Sequence, residues 1–297
     1  MKVTAHHLKW QTHKLELGRQ TRIMGVLNIT PDSFSDGGKF FAQETALAHA
    51  LQMASDGADI IDIGGESTRP FSEPISIEEE CRRVVPVIER LAKTISIPIS
   101  IDTTKAEVAR RAVAAGASII NDISALRFDP EIGEVAAQND VLVILMHMKG
   151  EPANMQVDPV YDHLLPEIID FLKDAISRAE SQGIEKSKII VDPGIGFGKT
   201  VAHNLCLIKQ LDQLQSLGVP ILLGASRKAF IRKTMALPGG SERPAEDRLI
   251  ETGTQASTTA AVLNGAHIVR VHNVANTVAT VKIADAIKNA CMSDLLH

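Results

Sequence analysis

The chain has 297 residues, of which 44% are hydrophobic, and a formal net charge of −5 that is spread along the sequence. This length and composition suit one large α/β domain, and the mild charge disfavours nucleic acid or an anionic membrane as a partner and favours a small-molecule ligand. The three cysteines are too far apart for a zinc site, the N-terminus lacks a signal-peptide pattern and no run of ~18 apolar residues occurs, so we expect an unprocessed cytoplasmic protein without disulfides.

The predicted elements alternate between strands and helices along most of the chain. Residues 3–21 are typical of a short hairpin outside the main domain. Eight apolar, β-branched runs predict strands at 23–27, 60–63, 97–101, 118–120, 141–146, 188–191, 220–223 and 267–271. Helical periodicity predicts helices at 44–55, 77–93, 105–114, 131–138, 164–181, 204–216, 245–263 and 276–289. This alternation predicts a parallel sheet covered by helices, closed into one (β/α)8 barrel, the TIM-barrel fold, as a single domain over residues 1–297.

A short motif that occurs three times in the sequence supports this alternation of strands and helices. Residues 57–62, 116–121 and 265–270 each read Gly-Ala, one polar residue, two apolar β-branched residues and a closing polar residue. Each glycine is expected to end a helix in the left-handed conformation before the chain enters a strand. Residues 238–244 are rich in Gly, Ser and charge, and we interpret them as an exposed excursion before a helix.

Every predicted strand is followed by polar side chains, and in a (β/α)8 barrel these carboxyl ends meet at the face that carries the site. In chain order they are Asn28; Glu66 to Pro70; Asp102; Asn121 and Asp122; His147; Asp192; Ser226, Arg227 and Lys228; and Arg270 and His272. Any one of these residues could be a helix cap or a core residue. Their joint placement predicts a deep polar site.

The first of these strands breaks into a loop with a distinct composition. Residues 25–38 read GVLNITPDSFSDGG, which combines hydroxyls, an amide, one aromatic ring and glycines. Pro31 and the Gly37-Gly38 pair are expected to exclude a helix from this segment. We interpret the segment as a loop that holds a polar ligand and moves.

Eight motifs in fixed order resemble those of the dihydropteroate synthases, the folate-pathway transferases that join a pterin to p-aminobenzoate. They span residues 22–272 and consist of the opening loop, GGESTRP at 64–70, SIDT at 100–103, NDIS at 121–124, HM at 147–148 with MQ at 155–156, DPGIGFGK at 192–199, SRK at 226–228 and RVH at 270–272. The resemblance implies condensation of 6-hydroxymethyl-7,8-dihydropterin diphosphate with p-aminobenzoate to 7,8-dihydropteroate and diphosphate. It further implies a homodimer that is a target of sulfonamides.

The resemblance also implies roles for the pterin and diphosphate groups. Asp192 would accept the adjacent N–H donors of the pterin in a bidentate fork, as a carboxylate accepts an arginine. Asp102 and Asn121 would pair with the remaining ring atoms, and Lys228 would reach the opposite edge. The diphosphate site would consist of Asn28, Arg270 and His272, with Mg²⁺ between the phosphate oxygens and the opening loop. The sequence contains no dedicated metal cage, which fits Mg²⁺ held mostly by substrate and water.

For the aminobenzoate the resemblance implies an apolar slot and a polar end. The slot would be formed by Phe34, Phe197 and Pro70, which is informative because only 3% of the chain is aromatic. Thr68, Ser226 and Arg227 with Lys228 would lie near the carboxylate. Asp36 and Arg69 would belong to two loops that close and exclude water from a dissociative reaction.

Other functions remain as alternatives at this point. A phosphate loop ending in Lys199 and Thr200 is disfavoured because Pro193 stands where that motif needs glycine. A pterin-binding methyltransferase would have no use for an aminobenzoate slot, and a non-catalytic barrel would not need an intact opening loop. The chain departs from the family pattern at Phe71 with Ser72, at Lys149 and at Asn273. These departures leave open the shape of the second loop and the orientation of the neighbouring histidine.

Overall fold

Ten strands form two sheets in the computed structural model, which describes residues 3–29, 38–67, 74–151, 155, 157–237 and 239–290. A hairpin consists of β1 (His6–Trp10) and β2 (His13–Leu17). The large sheet consists of β3 (Arg22–Asn28), β4 (Ile60–Gly64), β5 (Ile99–Asp102), β6 (Ile119–Asp122), β7 (Leu142–Met146), β8 (Ile189–Asp192), β9 (Leu222–Leu223) and β10 (Ile268–Val271). All eight predicted barrel strands are therefore present, within a few residues of the expected bounds.

The large sheet closes on itself. Its strands are parallel and run in the order β8-β7-β6-β5-β4-β3-β10-β9. A parallel bridge between Val191 and Ile221 joins the two edges, and the amide of Val191 donates to the carbonyl of Pro220 over 2.9 Å. The predicted (β/α)8 barrel is confirmed.

Helices cover the outside of the ring and alternate with its strands. They are α1 (Gly38–Asp56), α2 (Ile77–Ala92), α3 (Ala106–Ala114), α4 (Glu131–Asn139), α5 (Leu164–Ser181), α6 (Val201–Lys209), α7 (Ala229–Thr234), α8 (Arg248–Leu263) and α9 (Val274–Asn289). Side-chain caps determine where two of the helices begin. Ser76 accepts from the amide of Glu79 at the N-cap of α2, and Asp247 accepts from the amide of Leu249 at the N-cap of α8. The side chains of residues 38–42 are not described.

Three helix predictions need correction. The helix predicted over 44–55 begins six residues earlier as α1, and its first residue is Gly38, which was expected to exclude a helix. The predicted helix over 204–216 is α6 followed by a 3-10 helix at Leu211–Leu217, and α6 starts at Val201 because Thr200 and His203 form a capping box. The sequence prediction omitted α7, which has six residues and is too short for helical periodicity to be recognised.

The first glycine of each copy of the repeated motif has the expected left-handed conformation. Gly57, Gly116 and Gly265 have φ values of 105°, 116° and 102°. At Gly116 an added Cβ would also lie 2.5 Å from the Cβ of Ala92. A side chain there would therefore strain the backbone and separate α2 from the turn after α3.

The hairpin closes the amino end of the barrel. Its buried side chains form one apolar cluster with residues from seven barrel strands: Leu8, Trp10, Leu15 and Leu17 with Met24, Ile60, Ile119, Leu142, Ile144, Ile190, Leu222 and Ile268. β1 and β2 pair antiparallel outside the ring, as predicted. The opposite, carboxyl end of the strands is left for polar side chains. Among the described helices, none is both long and apolar enough to cross a membrane.

Candidate active site

An arginine from the last strand binds two acidic side chains inside the barrel. Nε of Arg270 donates to Oδ2 of Asp62 over 2.6 Å, and Nη2 donates to Oδ2 of Asp102 over 2.7 Å. The amide nitrogen of Asn121 also donates to Oδ2 of Asp62, over 3.1 Å. We call these four residues, from β10, β4, β5 and β6, the acid–arginine cluster. Three of them were predicted as site residues.

Asp62 was not predicted as a site residue, although it is the closing polar residue of the 57–62 repeat. It is fully buried in β4, and its Oδ1 has no hydrogen-bond partner among the described residues. Alternate residues of a strand face the same side, so Asp62 and Gly64 share the interior face of β4. The signal in the sequence was a single carboxylate inside an otherwise apolar strand. A buried carboxylate is costly unless a cation or a hydrogen-bond donor pairs with it.

Burial and mutual charge shape the electrostatics of the site. Burial, together with the carboxylate of Asp62, raises the pKa of Asp102 to about 7, although Arg270 opposes this shift. Burial likewise raises the pKa of Asp192, and it lowers the pKa of Lys228 to about 8, helped by the charge of Arg270. Arg270 stays charged, because its acidic partners raise its pKa against the effect of burial. The site therefore combines one fixed cation with groups whose charges depend on each other.

Asp192 lies at the end of β8, where the chain turns sharply. It is 7% exposed, and its Oδ1 accepts from the amide of Gly194 over 2.7 Å. Gly194 has a φ of 71°, and a Cβ at this position would lie 1.9 Å from the carbonyl oxygen of His147. Glycine is required here because the loop after β8 packs directly on the backbone after β7.

An apolar wall lies on the same side of the barrel. Phe197 packs in one cluster with Ile123, Met146, Met148 and Met155. Nζ of Lys228 lies 4.0 Å from the centre of the Phe197 ring, within the range of a cation–π contact. The predicted site residues Phe197 and Lys228 are thus brought together, and a flat ligand would find an apolar surface next to polar groups.

The predicted diphosphate residues occupy neighbouring strand ends. Nδ1 of His272 lies 3.0 Å from Oγ of Ser226, which also accepts from the amide of His272 over 3.3 Å. Asn28 is exposed at the end of β3. A Cβ added to Gly64 would lie 3.6 Å from both Oδ1 of Asn28 and Cβ of Asp102. Asn28 and Asp102 therefore flank the same strand end.

Arg227 contacts helix α8. It has a left-handed φ of 58°, and its amide donates to Oγ1 of Thr254 over 3.1 Å. Its Nε lies 3.9 Å from Glu251, so the side chain is shared with α8. This backbone turn directs Arg227 and the adjacent Lys228 to different neighbours.

Several sequence predictions fall on residues outside the described part of the chain. They are Phe34, Asp36, Thr68, Arg69 and Pro70, together with Phe71 and Ser72. The other two departures are described. Lys149 forms an ion pair with Glu167 over 3.3 Å, and Asn273 accepts from the amide of Asn276 as the N-cap of α9.

Asp122 has a local structural contact. Its two oxygens accept from the amides of Ser124 and Leu126 over 2.7 and 2.6 Å. Burial raises the pKa of Asp122, and these two bonds oppose the shift. Of the two polar residues at the end of β6, Asn121 joins the acid–arginine cluster and Asp122 shapes the following loop.

Lys105 binds two glutamates beside the loop that follows β4. Nζ of Lys105 donates to Glu66 over 3.1 Å, to Glu80 over 2.7 Å and to the carbonyl of Ile75 over 2.8 Å. Glu66 in turn accepts from the amide of Ile75 over 2.8 Å. Glu80 is fully buried. Lys105 therefore ties residues 66 and 75 to α2.

Replacing Lys105 by methionine should lower the free energy of unfolding by ~3–5 kcal/mol, because Glu80 would be left as a buried charge without its cation. Urea unfolding measures the change. Lys188→Met is the matched control, since its partner Asp140 is 54% exposed and such pairs contribute about 0–1 kcal/mol. Equal effects of the two substitutions would contradict the expectation.

The closed barrel, its acid–arginine cluster and the adjacent apolar wall define a barrel enzyme for a small, flat, polar ligand. Comparison with known proteins gives the class a name. The sequence profile of the family described as pterin binding enzyme matches residues 24–272.

Known relatives match nearly the whole chain. The dihydropteroate synthase of Synechocystis sp. is 47% identical over 270 residues, which cover 91% of each chain. The structure of the Yersinia pestis dihydropteroate synthase with a sulfonamide drug complex has a TM-score of 0.87 and 42% identity, covering 96% of this chain and 100% of that one. The Xanthomonas albilineans dihydropteroate synthase with 4-aminobenzoic acid has a TM-score of 0.86 and 42% identity, covering 97% and 100%. The chain belongs to the pterin-binding enzymes and, within them, to the dihydropteroate synthase family of folate biosynthesis.

Proposed function

We propose that the protein condenses 6-hydroxymethyl-7,8-dihydropterin diphosphate with p-aminobenzoate to give 7,8-dihydropteroate and diphosphate. The observation that carries the proposal is the acid–arginine cluster at the same strand ends as Asp192, Lys228 and the Phe197 wall. A flat ring with polar edges needs an apolar face and fixed polar partners together. Family membership supports the same reaction.

The pterin is held by its polar edges. Asp192 accepts the adjacent N–H donors of the ring; the amide of Gly194 occupies one lone pair of its Oδ1 and leaves the others for the ligand. Asp102 and Asn121 pair with the remaining ring atoms, and Lys228 reaches the opposite edge. These side chains are held by their own partners before the ligand arrives, which limits the ordering cost of binding.

Diphosphate leaves first. The carbon–oxygen bond breaks, its electron pair stays on the diphosphate oxygen, and Arg270 and His272 stabilise that charge. Asn28 offers an exposed amide oxygen, a suitable ligand for Mg²⁺, and the described residues contain no group of three or more His, Cys, Asp or Glu that could hold the ion alone. When bound, Mg²⁺ supplies positive charge to the phosphate oxygens.

The amine of p-aminobenzoate then attacks the methylene carbon and loses a proton. The ring is held by Phe197 with Phe34 and Pro70, and the carboxylate lies near Thr68, Ser226 and Arg227. Asp36 and Arg69 complete the two loops that exclude water, which would otherwise capture the carbon centre. For Phe34, Asp36 and residues 68–70 this part of the proposal rests on the motif resemblance alone.

The direct test is to incubate the purified protein with both substrates and Mg²⁺ and to measure dihydropteroate. We expect product that depends on both substrates. A folded protein that binds the pterin diphosphate but forms no product would contradict the enzymatic proposal and favour a non-catalytic pterin-binding barrel.

Sulfonamide binding tests the order of events. We expect a sulfonamide to bind weakly to the free protein and at least about tenfold more tightly with pterin, diphosphate and Mg²⁺ present, because the bound charge recruits Asn28 and Asp36 and completes the slot. Titration calorimetry with and without these ligands measures the coupling. Equal affinity in both conditions would mean that the slot exists beforehand.

The protein is further proposed to act as a cytoplasmic homodimer. Light scattering should then give twice the chain mass of 32.0 kDa. A monomer at micromolar concentration would refute this part of the proposal and leave the reaction unaffected.

A further inference from the structure

A lysine that the proposed reaction does not use is buried behind the site. Lys199 is 3% exposed, and its Nζ contacts Nδ1 of His147 over 2.9 Å and the carbonyl oxygen of Phe197 over 3.0 Å. His147 is 4% exposed at the end of β7. A buried ammonium group is costly unless it is well paired, so this position calls for an explanation.

The protonation states make the contact directional. Burial, with the charges of Lys199 and Arg127, lowers the pKa of His147 to about 2, so the ring is neutral near pH 7. Burial lowers the pKa of Lys199 to about 7, while the carboxylate of Asp192 opposes the shift. A charged lysine can only donate, so while Lys199 is protonated Nδ1 of His147 is the acceptor and the ring proton is on Nε2.

The pair joins two loops that touch without intervening side chains. The amide of His147 donates to the carbonyl of Asp192 over 2.9 Å, and a Cβ at Gly198 would lie 2.4 Å from the carbonyl oxygen of Lys149. Oη of Tyr161 donates to the carbonyl of Gly198 over 2.8 Å. The bond from Lys199 to His147 is the buried side-chain link across this backbone contact.

Lys199 also fixes the peptide that carries the aromatic wall. Its bond to the carbonyl oxygen of Phe197 sets the orientation of that residue. The ring of Phe197 in turn lies 4.0 Å from Nζ of Lys228. A Cβ at Gly196 would lie 3.1 Å from Cδ of Lys228, so the same loop also bounds the lysine stem. A chain of direct contacts runs from His147 to Lys228.

We propose that Lys199 and His147 are a positioning pair for the pterin substrate: they hold Phe197, and through it Lys228, in the geometry that the ring requires. The inference rests on the proposed function and adds two residues to it. Both act through Phe197 and Lys228 and not by contact with the substrate.

Pterin affinity and aminobenzoate kinetics separate this role from general damage. In Lys199→Met and His147→Leu we expect the Kd of the pterin diphosphate to rise at least about tenfold, since small displacements of positioning groups are costly. The KM for p-aminobenzoate should rise in the same two variants, because Phe197 also bounds the proposed aminobenzoate slot, whereas both values should stay within about threefold in the stability control Thr21→Val. Calorimetry gives the first value and steady-state kinetics the second.

A conservative substitution of His147 and a double variant make the test stricter. In His147→Asn the side-chain oxygen lies near the position of Nδ1, so this variant should keep a Kd within about threefold of the unsubstituted protein. The double variant Lys199→Met, His147→Leu should bind the pterin diphosphate no more weakly than the weaker-binding single variant. Both substitutions remove the same contact between Lys199 and His147. Multiplying effects, or failure of asparagine to rescue, would overturn the proposal.

Stability controls complete the design. Thr21→Val removes a buried hydrogen bond to Asp285 over 2.8 Å in the link between the segment after the hairpin and α9, and it should lower stability without changing pterin affinity. If Lys199→Met does not fold, the comparison of His147→Leu with His147→Asn decides the outcome. If the unsubstituted protein binds no pterin, the proposed function fails; if it binds and His147→Leu binds equally well, only the positioning role fails.

Discussion

Asp192→Ala should lower the affinity for the pterin diphosphate by about 10²–10³ or more, because the loss of a buried charged partner costs ~3–5 kcal/mol. The donor edge of the ring would face an apolar methyl group at a buried position, since Asp192 is only 7% exposed, and water compensates poorly there. Calorimetric titration of the folded variant measures the loss.

A second buried carboxylate provides the control for this experiment. Asp285 accepts from the amide and the hydroxyl of Thr21 over 2.7 and 2.8 Å and lies on α9, outside the strand-end site. Asp285→Ala should reduce stability and leave the pterin affinity within about threefold. An unchanged affinity in Asp192→Ala would show that the pterin edge is bound elsewhere and would remove the basis of the assigned pocket.

Arg270→Met should abolish most activity and lower the free energy of unfolding by ~3–5 kcal/mol at pH 7.5, because Asp62 and Asp102 would lose the guanidinium group that bonds both of them inside the barrel. Urea unfolding and steady-state kinetics measure the two effects. Arg22→Met is the control for stability, since Arg22 and Asp59 form a pair with both side chains about a quarter exposed, for which about 0–1 kcal/mol is expected.

The destabilisation by Arg270→Met should also depend on pH. Arg270 lowers the pKa of Asp102, which is raised to about 7 by burial; without the arginine this pKa lies higher, so the folded variant binds one more proton than the unfolded chain from about pH 4 to above pH 7. Its stability should therefore fall as pH rises through this window, and the difference from the unsubstituted protein should be smaller at pH 5 than at pH 7.5. A pH-independent difference would mean that the two acids are solvated in the variant.

The alternation of apolar strands and amphipathic helices was sufficient to predict the fold. Continuous apolar runs are buried on both faces, and only a sheet covered by helices provides that environment. Element bounds were less predictable. The strand expected at 97–101 starts at Ile99, after Pro98, which has no amide hydrogen for the ladder, and α7 carries too few residues to show a period.

The site was predictable in its composition and less so in its contacts. The sequence placed Asp102, Asn121 and Arg270 at strand ends because each follows an apolar run. Asp62 lies inside such a run, and only the closed ring brings it to the arginine of β10, 208 positions later in the chain. The sequence analysis gave Lys199 no role of its own: it was noted as the last residue of the DPGIGFGK motif and within a disfavoured phosphate loop. Its bond to His147 depends on the packing of two loops.

The sequence by itself determined the barrel, the face that carries the site and most of the polar side chains there, because periodicity and strand-end chemistry are local properties of the chain. Only the tertiary structure decided which acid pairs with Arg270, that Ser226 bonds His272 and that Arg227 is shared with α8. These pairings depend on strand register and on left-handed turns, which bring together side chains from distant segments and determine their burial and pKa values.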